Sequence, residues 1–294
     1  MSSVSPEASK VLPLWLRALG RLPLAILYTG AALLVWLLRH GLRYRVRVAR
    51  DNLRQSFPEF DAARLDALLD DYYRRLGEII AECLKLATLT ASELRERVRI
   101  TNLDLVQNEI AAGRSVILLA AHLGNWEWQL QGTAVSTEAP IDAAYKPLHG
   151  ARANELLLKL RSRFGAHMVA AKKLVRVVAR GRDQRRIIAI MADQIPSSSA
   201  GRHWVRFLGR DTAFYPGPGE IARMTGYKTL FADMRRRARG HYEITFQPVV
   251  LPGESLSPEA FTARYAQLLE GAIRADPANW IWTHRRWKLP PPSQ

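Results

Sequence analysis

The sequence predicts an α/β fold, in which helices flank a central sheet, preceded by a helix that associates with a membrane. Short apolar runs bounded by turn residues alternate with longer segments of helical periodicity, which is typical of layered α/β domains. An uncharged run covers residues 22–38, near the N-terminus. The chain has 294 residues, 48% of them apolar, so it is long enough and apolar enough to bury a core.

Five strands can be predicted from apolar runs, and helices from periodicity and capping residues. The buried strand at 115–121 is followed by a turn and a helix from about residue 125. The other predicted strands are 141–145, 186–191, 229–234 and 242–250, and the other predicted helices are 43–54, 61–89, 153–164, 172–182, 219–225 and 257–275. The last helix has the clearest start, because Ser257 can cap it and Pro258 suits its first position.

The uncharged run at 22–38 predicts a membrane anchor. Arg17 and Arg21 precede the run and a denser set of arginines follows it, so the main domain is expected on the cytoplasmic side. A spanning helix needs about 20 apolar residues and at least about 17. The short run and Pro23 therefore leave an in-plane or partly inserted helix open, and a buried core helix is the alternative without a membrane. We assign residues 1–21 to a polar and basic tail, disordered over 1–10, residues 22–40 to the anchor and 41–294 to the α/β domain.

The net charge favours an anionic partner. Lys and Arg number 43 and Asp and Glu 27, a formal charge of +16. Nucleic acid, an anionic membrane and a phosphorylated substrate all qualify. The basic residues are widely spread and no helix-turn-helix, zinc-finger or aromatic RNA-binding motif is evident, so nucleic acid is not an expected partner. Cys83, the one cysteine, cannot form an internal disulfide, and we interpret it as a small buried apolar side chain.

His122 directly follows the predicted strand at 115–121, and ligands of open α/β sheets bind at the carboxyl ends of strands. Glu127 lies five residues later, about 140° around the axis of a continuous helix. A turn at Leu123-Gly124 would let Glu127 fold back from the first helical turn. Its carboxylate would hold one imidazole nitrogen and leave the other as a base. On spacing alone, a structural histidine beside a capping acid is the simpler interpretation.

The motif His122-Leu123-Gly124-Asn125-Trp126-Glu127 resembles the His-x4-Asp/Glu block of glycerolipid-type acyltransferases. In particular it is similar to that of the bacterial late acyltransferases of lipid A biosynthesis, the lauroyl/myristoyl transferase family. The similarity extends along the chain through these further segments: Val48-Ala49-Arg50-Asp51-Asn52-Leu53, Phe57-Pro58-Glu59, Tyr145-Lys146-Pro147, Ala192-Asp193-Gln194, Phe207-Leu208-Gly209, and Trp280-Ile281-Trp282-Thr283-His284-Arg285-Arg286-Trp287.

The resemblance implies a mixed central sheet and a direct transfer reaction. His122 would be the general base that takes the proton of an acceptor hydroxyl, and Glu127 would orient and charge-balance it. The hydroxyl oxygen would then attack the thioester of an acyl–acyl carrier protein. Neither a cofactor nor a metal is expected. The residues agree, because neither a Gly-x-Ser-x-Gly elbow nor a His/Cys cluster with zinc spacing occurs in the sequence.

Six further residues are predicted to contact substrate. Asn125 lies within the His122 motif, and Asp193 and Gln194 follow a strand as His122 does. Lys146 stands where the family often has arginine, and can hold a phosphate as a point charge. Arg285 and Arg286 are predicted to bind the phosphate or sugar acid of the acceptor.

The resemblance implies an enzyme at the cytoplasmic face of a bacterial inner membrane, acting on a Kdo-bearing, phosphorylated lipid A precursor beside anionic lipid. The same chemistry on a lysophospholipid, glycolipid or amino-acid lipid is the first alternative, because the residues after Gln194 differ from those of some family members. A non-catalytic basic membrane-binding or nucleic-acid-binding protein is the second.

Overall fold

The computed structural model describes residues 12–182, 184–196 and 201–290, so the tail predicted to be disordered at 1–10 lies outside the described residues. A seven-stranded mixed sheet forms the centre, in the order β1-β9-β8-β2-β5-β3-β4. Its strands are β1 (Val98–Ile100), β2 (Val116–Ala120), β3 (Ile141–Tyr145), β4 (His167–Ala170), β5 (Ile187–Met191), β8 (Lys228–Ala238) and β9 (His241–Pro248). Neighbouring strands are parallel except β8 and β9. The predicted α/β fold with a mixed sheet is confirmed.

Helices cover both faces of the sheet and the N-terminal side of the molecule. They are α1 (Leu14–Arg21), α2 (Leu24–Trp36), α3 (Val46–Ser56), α4 (Ala62–Lys85), α5 (Ala91–Arg97), α6 (Asp104–Ala111), α7 (Trp126–Ser136), α8 (Ala151–Arg161), α9 (Leu174–Arg180), α10 (Gly217–Thr225) and α11 (Pro258–Ala275). The caps follow the sequence: Asp61 accepts a hydrogen bond from the backbone of α4, and Ser257 does the same for α11.

Several short elements were not predicted. They comprise α1, α5, α6, β1, β4 and an antiparallel hairpin of β6 (His203–Phe207) and β7 (Arg210–Phe214). The hairpin turn is Leu208-Gly209, and both residues have positive φ. Leucine rarely adopts that conformation, so this turn lacks the usual Asn-Gly signal.

The sheet is buried on both faces, and strand residues alternate between two apolar clusters. On β2, Val116 and Leu118 pack into one cluster, while Ile117 and Leu119 pack into the other. This alternation is the period of two that a pleated strand imposes. Because both faces are apolar, β2 reads as a continuous apolar run, as parallel strands covered by helices do.

The N-terminal segment packs against the domain instead of forming a separate tail. Helix α1 lies within the segment assigned to a polar tail, and its Leu16 is buried, so that assignment is wrong for residues 14–21. The segment Leu24–Gly41 is the one helix in the described part of the chain that is long and apolar enough to cross a membrane. Within it, Leu27, Ala31 and Val35 are buried, and α2 packs along α4.

Gly132 lets α7 approach β1 closely, and a methyl group there should destabilise the fold. A β-carbon at Gly132 would lie 2.6 Å from Cγ1 of Val98, so either α7 or β1 must shift in Gly132→Ala. We expect the free energy of unfolding to fall by about 1–3 kcal/mol, as for other overpacked cores. Gly271→Ala is the matched control, because Gly271 lies in α11 with open space around it. There alanine should stabilise the helix by up to about 1 kcal/mol. Thermal or urea unfolding followed by circular dichroism measures both, and equal effects would contradict the packing argument.

Candidate active site

The candidate site lies at the carboxyl ends of two neighbouring parallel strands. His122 follows β2 and Asp193 follows β5, and Ala120 of β2 is in register with Met191 of β5. His122 and Asp193 each lie two positions beyond one of these paired residues, so their side chains come together. This is the sheet edge at which ligands of α/β proteins bind.

The carboxylate of Asp193 holds His122 in place by two hydrogen bonds. Nδ1 of His122 lies 2.8 Å from Oδ1 of Asp193, and the backbone N–H of His122 donates to Oδ2 at 3.0 Å. Trp280 Nε1 donates to the same Oδ2 at 3.0 Å. Burial alone would raise the pKa of Asp193, but the charge and hydrogen bonds of His122, with the Trp280 bond, lower it to about 2. Asp193 is therefore a carboxylate at neutral pH.

These contacts leave Nε2 of His122 as the atom available for chemistry. With a proton on Nδ1 donated to Asp193, Nε2 carries a lone pair. Nε2 lies 3.1 Å from Nε2 of Gln194, which can donate to that lone pair. The ring also meets Trp126 edge-on, at 5.1 Å between centroids. A hydroxyl that displaced the Gln194 amide would face a base already held in the required tautomer.

Glu127 does not hold the imidazole, and the predicted contact between Glu127 and His122 is wrong. The Glu127 carboxylate accepts a bidentate pair of hydrogen bonds from Arg161 at the end of α8, with Nε to Oε2 at 2.8 Å. Burial would lower the pKa of Arg161, but Glu127 outweighs burial and raises it, so Arg161 is charged. Asp193, predicted to contact substrate, takes the orienting position that was expected for Glu127.

An apolar cavity of about 60 Å³ lies between β2, β3, β5 and the helices α7 and α8. Leu118, Ala143, Met168 and Ile190 are among the side chains that line it. Trp126, Glu127 and Arg161 line it as well. Trp126 both lines this cavity and contacts the His122 ring, so the cavity adjoins the imidazole.

Asn125 has a structural role in place of the predicted substrate contact. It is fully buried, its Oδ1 caps α7 by accepting from Trp128 N at 2.9 Å, and its Nδ2 donates to Glu82 at 2.8 Å. Glu82 on α4 is also fully buried and accepts from Tyr242 at 2.7 Å and from Tyr28 of α2 at 2.9 Å. Burial outweighs these bonds and raises the pKa of Glu82.

Glu82 was missed by sequence reasoning, although a signal was present. An acidic residue lies within the apolar stripe of α4, where a buried carboxylate requires partners.

The three basic residues predicted to bind substrate lie in different environments. Lys146 follows β3 at the same sheet edge as His122 and is exposed. Arg285 is also exposed. Arg286 is 1% exposed, donates to Ala213 O at 2.7 Å and stacks over Phe214, and burial lowers its pKa to about 10. Its Nε and Nη1 have no hydrogen-bond partner among the described residues. Its burial opposes a direct contact with a bulky acceptor.

His284 is a further residue of the site that the sequence did not single out. Its Nε2 lies 3.4 Å from the backbone N of Ile195, next to Gln194. Burial, with the charges of Arg286, His122 and Arg45, lowers its pKa to about 4 against the opposing charge of Asp193. His284 is therefore neutral at pH 7, and its Nε2 can accept the hydrogen bond from Ile195.

The depressed pKa of His284 should make stability depend on pH between about 4 and 6.5. In this window the unfolded chain binds a proton at residue 284 and the folded chain does not. The free energy of unfolding therefore falls as the pH falls through the window, and this contribution is complete above it. His284→Gln, which keeps an acceptor for Ile195 N–H, should flatten the dependence. Urea unfolding of both proteins at pH 4.5, 5.5 and 7.0 measures it, and parallel curves would contradict the assignment.

Comparison with known proteins agrees with the resemblance of the sequence motifs. A model of the family described as bacterial lipid A biosynthesis acyltransferase matches residues 11–289. The lipid A biosynthesis palmitoleoyltransferase of Escherichia coli is 23% identical over 254 residues, covering 86% of this chain and 82% of the relative. A lipid A biosynthesis acyltransferase of Haemophilus influenzae is 22% identical over 257 residues, covering 84% and 77%. Since the family model spans both strand ends of the site and the C-terminal tryptophan segment, this chain belongs to the bacterial lipid A biosynthesis acyltransferase family.

Proposed function

We propose that the protein transfers a fatty acyl chain from an acyl–acyl carrier protein to a hydroxyl of a Kdo-bearing lipid A precursor, with His122 as the general base. The observation that carries this proposal is the His122–Asp193 pair at the ends of β2 and β5. Family membership supports acyl transfer onto lipid A. The carrier-protein donor and the Kdo-bearing acceptor are the finer parts of the proposal.

The reaction moves one proton to His122 and back, and exchanges the carbon–sulfur bond of the thioester for a carbon–oxygen bond. Nε2 of His122 takes the proton of the acceptor hydroxyl while the oxygen attacks the carbonyl carbon of the thioester. The tetrahedral intermediate collapses, the carbon–sulfur bond breaks, and the thiolate takes the proton from the imidazolium. Asp193 remains ionised and stabilises the imidazolium at Nδ1, since its pKa is about 2. The products are an ester and the free thiol of the donor.

The apolar cavity suits the end of an acyl chain. Its walls are mainly aliphatic, and Trp126 connects it to His122. A chain lying there would bring its carbonyl towards the imidazole. Arg161 and Glu127 line the same cavity, and their bidentate pair ties the end of α8 to the start of α7, beside Trp126. Glu127 thus acts through Arg161, as a positioning residue.

The acceptor side of the site is basic and opens at the sheet edge. Lys146 and Arg285 are exposed and can reach phosphate or sugar acid groups, while Gln194 lies beside the base. The net charge of +16 suits both an anionic lipid acceptor and an acidic carrier protein. These features support action at the cytoplasmic face of the inner membrane. Another lipid acceptor would meet the same residues.

Removal of the base should abolish transfer without loss of the fold. We expect His122→Ala and Asp193→Asn each to lower the rate of acyl transfer by about 10²–10⁴, the usual contribution of a positioned base. His167→Ala is the matched control, because His167 forms a similar pair with Asp142, at 2.8 Å, outside the site. Transfer of labelled acyl groups from acyl–acyl carrier protein to a Kdo-bearing tetra-acyl precursor measures the rates.

Equal rates in wild type and His122→Ala would overturn the role of the base. Transfer by wild type to a lysophospholipid, but not to the Kdo-bearing precursor, would overturn the acceptor alone.

The Glu127–Arg161 pair should matter for the reaction more than for stability. A single substitution leaves one buried charge without its partner, which typically costs about 3–5 kcal/mol. The double variant Glu127→Gln with Arg161→Gln leaves no such charge, so it should unfold within a few degrees of wild type. We nevertheless expect its kcat to fall at least about 10²-fold, because the tie between α7 and α8 that fixes the cavity and Trp126 beside His122 is gone. Wild-type kcat in a folded double variant would contradict this role.

A further inference from the structure

Exposed apolar side chains are concentrated at the N-terminal side of the molecule. Ten of the thirteen large apolar side chains that are exposed in the described chain lie between residues 14 and 44, Trp15, Leu33, Trp36 and Leu42 among them. We call the exposed apolar side chains of residues 14–44 the N-terminal apolar face. Soluble monomers rarely leave so many apolar side chains together in water, which indicates an interaction surface.

Helix α2 lies along the domain over its length and does not leave it. Leu27, Ala31 and Val35, spaced four residues apart, form one buried stripe against α4. Gly77 of α4 allows the close approach, since a β-carbon there would lie 3.3 Å from Cγ2 of Val35. Tyr28 adds a hydrogen bond to Glu82 of α4 at 2.9 Å.

Helix α4, against which α2 packs, exposes charged side chains that require water. Asp66, Asp70 and Arg74 of α4 are exposed, and Arg39, just beyond α2, pairs with Asp70. Charged side chains are rare and costly in the hydrocarbon core of a bilayer. A spanning α2 would either pull these charges into lipid or lose its contacts with α4. With the turn Leu37–Gly41 that continues it, the helix has 18 residues and extends about 27 Å, close to the roughly 30 Å of hydrocarbon, so it is the packing against α4 and not the length that argues against spanning.

Both ends of α2 are fastened to the domain. At the corner between α1 and α2, Gly20 O accepts hydrogen bonds from Lys85 at 3.0 Å and from Thr88 at 2.6 Å. Beyond α2, the chain reverses through two residues with positive φ, Arg43 and Arg45. Arg45 then donates to Thr283 O at 3.0 Å, beside His284 of the candidate site. The segments before and after α2 therefore lie on the same body.

The charge around the N-terminal apolar face identifies its partner as anionic lipid. Residues 12–50 contain no acidic residue, while Arg21, Arg43 and Arg47 are exposed beside the face. Arg21 and Arg43 form no ion pair with a described acidic side chain. Helix α1, which is strongly amphipathic and combines tryptophan, leucine and arginine, has the composition typical of a helix in the plane of a membrane interface. Helix α2 is apolar on all sides, with one side against α4 and the others exposed.

We propose that α1 and α2 form an in-plane, monotopic anchor: the N-terminal apolar face enters one leaflet of an anionic membrane, and the N-terminus stays on the same side as the catalytic domain. This inference does not depend on the acceptor or donor of the reaction. It brings the segment of Thr283 and His284 close to the lipid surface, because that segment is bonded to Arg45 directly after the anchor.

The sidedness of the N-terminus distinguishes this anchor from a spanning helix. In a Cys83→Ala background, Ser5→Cys marks the segment ahead of α1, and Ser255→Cys marks an exposed loop of the domain. A membrane-impermeant maleimide is added to sealed right-side-out and inside-out inner-membrane vesicles that contain the full chain. The monotopic anchor predicts that both cysteines react in the same vesicle preparation. Reaction in opposite preparations would overturn it.

Vesicle binding tests the face itself. Leu33→Asn with Leu34→Asn should weaken partition into phosphatidylglycerol vesicles at least about tenfold, because two inserted apolar side chains are lost. The control, Val175→Asn with Leu251→Asn, changes two exposed apolar side chains outside the face and should bind as wild type does. Thermal unfolding should be unchanged in both. Unchanged vesicle binding by the first variant, or conversion of a dimer to a monomer in its place, would show that lipid is not the partner.

Discussion

The carboxylate of Asp193 is the centre on which the site depends. It accepts hydrogen bonds from the backbone and the ring of His122 and from the indole of Trp280, so three distant parts of the chain meet at two oxygens. Asp193 is 1% exposed, and a buried carboxylate without these donors would be costly. The carboxylate that orients the His122 ring therefore also fixes the C-terminal tryptophan segment against the sheet.

Sequence reasoning succeeded where local pattern determines structure. The apolar run of β3 and the cap of α11 each reflect neighbours within a few residues, and both elements were predicted with nearly their observed bounds. His122 and Asp193 were both placed after strands. Because β2 and β5 are adjacent and parallel, that placement was enough to bring them to one sheet edge.

Sequence reasoning failed where a partner lies far away in the chain. Glu127 is five residues from His122 but pairs with Arg161, 34 residues on, and His122 finds its carboxylate 71 residues away. The spacing of His122 and Glu127 carries no information about either partner. Helix α1 was likewise assigned to a tail, because the burial of its Leu16 depends on an apolar cluster that includes Leu84 of α4 and Leu160 of α8, which are distant in the sequence.

Glu82 joins helix α2 to the start of α7 at the candidate site. It receives hydrogen bonds from Tyr28, on the helix that faces lipid in our proposal, and from Asn125, which caps the helix beside His122. Two hydrogen bonds thus separate the proposed anchor from the turn that carries His122. Such a rigid connection would hold the imidazole at a constant height above the head groups. In that arrangement the depth of a hydroxyl within one lipid, in addition to its chemical surroundings, determines whether it reaches the imidazole.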